Sequence, residues 1–163
     1  MTDLTHRFIE TNGIRMHVVE KGTGPLVVLC HGFPHLWFSW RHQIPVIVKA
    51  GWRVVALDMR GYGRTDSPEE IEKYTLLHLG GDMVGLLDGL GAETAAIAGH
   101  DWGAPVAWHA GLLRPDRFSR RHWAQRAILA AWFVASNNRY ATDRGYDILP
   151  ALQSVARRGR GRL

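Results

Sequence analysis

A mostly parallel α/β fold is predicted by three observations. Two five-residue stretches, Leu26-Val27-Val28-Leu29-Cys30 and Arg53-Val54-Val55-Ala56-Leu57, lack polar alternation, as do strands buried on both faces of a sheet. Segments with helical periodicity stand between such runs, and strands alternating with helices imply a parallel sheet with right-handed crossovers. Glycine-rich loops follow the runs, at the strand ends where sheets of this kind bind their ligands.

The elements follow in order. Arg7 to Thr11 and Ile14 to Val19 flank Asn12-Gly13, the dipeptide that closes a two-residue β-hairpin because both positions tolerate positive φ. Leu26 to Cys30 is the first buried strand, followed by the loop His31-Gly32-Phe33-Pro34. Residues 38 to 49 suit a helix, and Arg53 to Leu57 is the second buried strand. The turn Asp58-Met59-Arg60-Gly61-Tyr62-Gly63 lacks the third glycine and the following helix of a dinucleotide-binding fingerprint. Leu76, Leu79, Met83, Leu86, Leu87 and Leu90 recur at three- and four-residue spacing, which predicts an amphipathic helix with Thr75 as N-cap and Gly91 as its stop. Thr94 to Ala98 reads as a third buried strand. Pro105 suits the first turn of a helix reaching Leu113, where its missing amide hydrogen costs least.

With 163 residues and 46% hydrophobic content, the chain has the composition of one globular domain. The longest run free of polar residues, Ala127 to Ala135, is far shorter than the ~20 residues of a spanning helix. The start MTDLTHRFIE lacks a signal pattern, so a cytoplasmic protein without a membrane partner is expected. Cys30 is the single cysteine and reads as a buried thiol; no disulfide can form within the chain. The net charge of +5 is uneven: residues 1 to 118 hold 11 Lys/Arg and 13 Asp/Glu, net −2, whereas residues 119 to 163 hold 9 Arg and 2 Asp, net +7. A nucleic-acid partner is therefore not expected of the first part. The domain expectation is an α/β core over 1 to 118 and an arginine-rich tail over 119 to 163.

The stretch GHDWGAP, residues 99 to 105, carries the chemistry. A sharp turn from strand to helix exposes its central side chain, and flanking glycines let the backbone pass. Gly99 and Gly103 flank Asp101. A carboxylate, with an ordinary pKa of about 3.9, is already ionised at neutral pH and needs no base to act as a nucleophile. It is weak against carbonyl carbon but displaces a leaving group from saturated carbon, becoming an ester. Water must then attack the enzyme's own carboxyl carbon, so the oxyanion forms on Asp101 and needs amide donors. The backbone amides of Phe33 and Trp102 are the candidates. The second step also needs a histidine to activate water and an acid to orient it.

HGFP after one strand, DMRGYGRTDSP after the next, then GHDWGAPVAW and RPDRF, together resemble the N-terminal half of an epoxide hydrolase of the α/β-hydrolase fold, over Arg7 to Phe118. The resemblance implies Asp101 as nucleophile, the Phe33 and Trp102 amides as oxyanion hole and His31 as support of the oxyanion loop. Phe33, Pro34, Trp37 and Trp102 are the expected substrate contacts, with Trp40 as a further possible wall or a core residue. A small-molecule epoxide is the implied partner, with no metal and no organic cofactor. Haloalkane dehalogenases are similar here too, but usually carry asparagine at the position of Phe33, and fluoroacetate-type dehalogenases usually carry arginine at that of Trp102. Against these roles, Asp101 alone would also serve as a helix cap. His100 reads as a packed neighbour, Asp58 and Asp82 as turn and helix-surface residues.

After Phe118 the family pattern requires another strand, a cap bearing two tyrosines and later strands bearing an acid and a histidine. None is recognisable in residues 119 to 163. His109 lies eight residues beyond Asp101 on the same predicted helix, about 12 Å along it at 1.5 Å per residue. His122, Tyr140 and Tyr146 are the downstream histidine and tyrosines, at spacings that match no required role. The expected fold is thus a hydrolase core truncated before its cap, impaired or inactive as it stands. The tail has two readings: a shifted reading frame in a GC-rich gene, or an arginine-glycine tract that binds single-stranded nucleic acid.

Overall fold

The computed structural model describes residues 4 to 118. Five strands, β1 (Thr5–Thr11), β2 (Ile14–Lys21), β3 (Leu26–Cys30), β4 (Arg53–Leu57) and β5 (Ala96–Gly99), form one sheet in the order β1-β2-β4-β3-β5. β3, β4 and β5 run parallel; β2 pairs antiparallel with both β1 and β4. The hairpin turn is where the Asn-Gly dipeptide places it, with Asn12 at φ 43° and Gly13 at φ 75°, and Thr11 opposite Ile14.

Every residue of β3 is buried, because helices cover both faces. On one face, α1 (Gln43–Lys49) sets Ile44 and Ile47 with Trp40 and Trp52 against Val27, Leu29, Val54 and Ala56. On the other, α2 (Leu76–Gly89) and α3 (Gly103–Leu113) set Met83, Leu86, Leu87, Val106 and Ala110 against Val28, Val55 and Leu57. Alternate residues of the same strands thus enter two separate cores, which is why the runs read as uniformly apolar.

Boundaries differ from expectation where local chemistry intervenes. The single helix predicted over 38 to 49 is a 3₁₀ turn at Trp37–Trp40 followed by α1 from Gln43. Pro45 lies in the first turn of α1, where it lacks an amide hydrogen to extend the ladder backward. A second 3₁₀ turn, Ile71–Tyr74, precedes α2. Thr75 caps α2 by accepting the His78 amide at 3.4 Å, and Gly91, at φ 64°, stands just past its end. The third buried strand starts at Ala96 rather than Thr94, and α3 starts at Gly103, ahead of Pro105.

Asp82 is not on the helix surface as expected. It is wholly buried, bonded to the Arg60 guanidinium at 2.9 Å and to the Asn12 amide at 2.9 Å. Arg60 also donates to the Asn12 carbonyl at 3.1 Å, so one buried ion pair ties the hairpin turn, the loop after β4 and α2 together. Burial pushes the Asp82 carboxyl pKa up, against the opposing pull of Arg60 and Asn12.

Candidate active site

β5 ends at Gly99 and α3 begins at Gly103, leaving His100, Asp101 and Trp102 to make the turn. The His100 amide donates to the Cys30 carbonyl at 3.1 Å, the Gly103 amide to the His100 carbonyl at 2.9 Å. This fold-back puts Asp101 at φ 52°, the left-handed region that a non-glycine residue occupies at a cost of order 1–3 kcal/mol. The turn is pressed onto the end of β3. A Cβ at Gly103 would collide with the Cys30 and His31 carbonyl oxygens, and one at Gly99 with the Gly103 carbonyl. Close backbone approach therefore explains both glycines of the motif.

The loop after β3 meets the same carboxylate. The Phe33 amide donates to Asp101 Oδ1 at 2.9 Å, and a Cβ on Gly32 would stand 2.6 Å from that oxygen. Burial would raise the Asp101 pKa, but the Trp102 and Phe33 amides, with the His100 and His35 imidazoles, hold it below the usual carboxylate value. Asp101 is exposed. The site therefore presents an ionised, accessible carboxylate whose oxygen already sits on an amide donor.

His31 supports this loop. Its Nε2 accepts the Met59 amide at 3.0 Å, so Nδ1 carries the proton and donates to the Gly32 carbonyl at 2.8 Å. Burial lowers its pKa, and with both nitrogens occupied it cannot serve as a base. The Phe33–Pro34 peptide is cis. Phe33 is 64% exposed and Trp102 62%, and Pro34 is exposed as well, so three of the four expected substrate contacts are accessible beside the carboxylate. Trp37 is half-buried, packed against the α1 core and edge-on to the His6 and Phe38 rings. Trp40 is a core residue.

His100 stacks on His35 with ring centroids 5.7 Å apart and planes 30° from parallel. Burial lowers its pKa, and the neighbouring His35 lowers it further. Sequence reading overlooked His35 by ending the HGFP motif one residue early. The signal was the short loop itself, whose His35 amide returns to the Gly32 carbonyl at 2.8 Å and so brings the residue back towards the elbow.

A histidine–carboxylate pair does exist: His17 Nδ1 lies 2.7 Å from Asp58 Oδ2. It is no water-activating pair, because both side chains are buried and His17 Nε2 faces His6 Nδ1 at 3.0 Å. Asp58 also receives the Trp37 and Arg64 amides, a turn-holding role. His109 is engaged with the Pro105 carbonyl at 2.8 Å. Burial raises the Cys30 thiol to about 12. His122, Tyr140 and Tyr146 lie outside the described residues. Among the described residues no cluster of His, Cys, Asp or Glu is placed to hold a metal ion, and no helix is long and apolar enough to cross a membrane.

An exposed carboxylate on a strand-to-helix elbow, with an amide donor from the loop after a neighbouring parallel strand, defines a hydrolase architecture. Residues 25–122 match the family model described as alpha/beta hydrolase fold, and the chain belongs to that family. Its nearer similarity is to epoxide hydrolases. It is 55% identical over 117 residues to epoxide hydrolase 3 of Siraitia grosvenorii, spanning 72% of this chain and 37% of that protein. To epoxide hydrolase A of Mycobacterium tuberculosis it is 55% identical over 115 residues, 69% of this chain and 36% of the relative. The crystal structure of epoxide hydrolase A from Mycobacterium thermoresistibile superposes with TM-score 0.69 at 56% identity, covering 71% of this chain and 37% of that one. The chain thus spans little more than a third of the length of each of these three relatives.

Proposed function

We propose that this chain carries the nucleophilic half of an epoxide hydrolase site, in which Asp101 opens an epoxide to form an alkyl ester. The observation that carries this reading is the Asp101 carboxylate itself: exposed, held below the usual carboxylate pKa, and bonded at 2.9 Å to the Phe33 amide. The names and identities of the relatives support the substrate class. A carboxylate oxygen attacks one ring carbon, the ring carbon–oxygen bond breaks with its electron pair going to oxygen, and that oxygen takes a proton from water or from an acid side chain. In the second half-reaction, water attacks the ester carbonyl carbon and the Phe33 and Trp102 amides stabilise the oxyanion before a vicinal diol leaves. Phe33, Pro34 and Trp102 form the apolar surroundings of the bound epoxide.

The second half-reaction needs a base held by an acid. The hydrogen bonds of His17, His31 and His109 make each of these three an unsuitable base, and the proposal for this chain is confined to the alkylation step. Incubation of the full chain with styrene oxide, read by intact mass and peptide mapping, is expected to show a single adduct on Asp101. Asp101→Asn should take no adduct. An unmodified wild-type chain that is folded by circular dichroism would remove the nucleophile assignment.

A further inference from the structure

An amide donor serves a carboxylate only while the loop that carries it stays in place, because a hydrogen bond weakens steeply as its angle departs from linearity. The segment from His31 to Trp37 holds the Phe33 amide 2.9 Å from Asp101 Oδ1, yet residues 33 to 36 are exposed. The loop is fixed at its two ends instead, and both ends are fixed by the turn after β4. At one end the Met59 amide donates to His31 Nε2 at 3.0 Å. At the other the Trp37 amide donates to Asp58 Oδ1 at 3.0 Å. Asp58 and Met59 are consecutive, so one short piece of backbone clamps the loop on either side of Phe33.

We propose that Asp58 is a positioning residue for the oxyanion amide, its carboxylate closing the clamp that keeps the Phe33 amide on Asp101. The carboxylate is itself held. Asp58 is 1% exposed, its Oδ2 accepts His17 Nδ1 at 2.7 Å and the Arg64 amide at 3.3 Å, and a Cβ at Gly63 would collide with it. His17 is bonded in turn through Nε2 to His6 Nδ1 at 3.0 Å, its backbone amide donates to Thr65 Oγ1 at 2.9 Å, and its carbonyl accepts the Asp58 amide at 3.0 Å. The row His6–His17–Asp58 therefore ties the clamp to β1 and β2. A buried carboxylate with donors on both oxygens is costly to displace, which makes it a fixed point for the loop. Asp58 acts through the backbone between Trp37 and Phe33, not on the epoxide.

The consequence for reactivity rests on Asp101 being the nucleophile, so loop and chemistry are read separately. The full chain is labelled with nitrogen-15 at phenylalanine and tryptophan, and the Phe33 and Trp37 amides are followed by resonance position and hydrogen exchange. Asp101 ester formation from styrene oxide is timed by peptide mapping. Asp58→Ala is expected to shift the Phe33 resonance and to speed exchange at Phe33 and Trp37 about tenfold or more, with the Phe118 amide unchanged. Ester formation should slow about tenfold or more, within the ~10²-fold that a misplacement of about 1 Å can cost. Asp58→Asn should restore both readouts to within about threefold, because its oxygen accepts the Trp37 amide and its nitrogen donates to the other tautomer of His17. A folded Asp58→Ala chain that matches wild type in both readouts would overturn the role of Asp58. Slower ester formation with an unmoved Phe33 amide would overturn it too, as would exchange accelerated equally at Phe118, which marks a global loss of stability. If Asp58→Ala does not fold, the wild-type chain gives the answer: equal protection of Phe33 and Trp37 supports the clamp, and a Trp37 amide exchanging about tenfold faster than Phe33 overturns it. A wild-type chain that takes no adduct defeats the Asp101 reading, and the amide readouts then test the clamp alone.

Discussion

Asp101 combines a strained backbone with a carboxylate held below its usual pKa by the Trp102 and Phe33 amides. Its φ of 52° persists because the elbow is fixed on both sides by bonds to Cys30 and Ala104 and by glycine contacts that admit no Cβ. The most local test is Gly32→Ala, whose added methyl would stand 2.6 Å from Asp101 Oδ1. Either the carboxylate or the Phe33 amide must shift, so ester formation is expected to fall at least tenfold while helix content by circular dichroism is unchanged. Histidine protonation supplies a pH dependence at the same scale. Burial holds the pKa of His31 and of His100 below the ordinary value, so the folded chain binds fewer protons there than the unfolded chain. Their contribution to stability is therefore complete above about pH 6.5 and is lost as pH falls through that value towards the folded pKa. The urea midpoint should decrease from pH 7.5 to pH 5.5, and a replacement of His31 that keeps the fold should flatten that dependence.

Among the elements, α2 has the clearest boundaries and the clearest test. Thr75 accepts the His78 amide at its start and Gly91 provides a left-handed residue just beyond its end. Thr75→Ala removes the cap and is expected to cost about 1 kcal/mol in denaturant unfolding, with no change in the slope of the transition. α1 was less legible because a helical apolar pattern says nothing about where hydrogen bonding begins; Pro45 and the 3₁₀ turn at Trp37–Trp40 split what looked continuous. β1 and β2 were legible at once, since alternation and an Asn-Gly turn are both local properties.

At the scale of the molecule, the described sheet has β5 paired with β3 alone, and α3 leaves Trp108, Leu112 and Leu113 exposed. Exposed apolar side chains of this kind promote association. The full chain is expected to show a light-scattering mass that rises with concentration; a concentration-independent monomer would contradict this. The positive excess of residues 119 to 163 lies outside the described residues, and the two readings of that segment diverge at the level of the encoding gene, where a shifted frame would reveal itself.

What can be read along the chain alone is what depends on neighbours in sequence. Strand runs, the hairpin turn, the helix cap and the GHDWG elbow follow from backbone preference and periodicity, which act over a few residues. The family followed from a resemblance carried by the order of HGFP, DMRGYGRTDSP and GHDWGAPVAW along the chain. Other features required the chain to fold back on itself. Only folding brings the Phe33 amide to a carboxylate 68 residues away and Arg60 to Asp82, inserts β4 between β2 and β3, and stacks His35 on His100. Such pairings depend on loop closure and on burial by distant elements, and neither leaves a periodic trace in the amino-acid order.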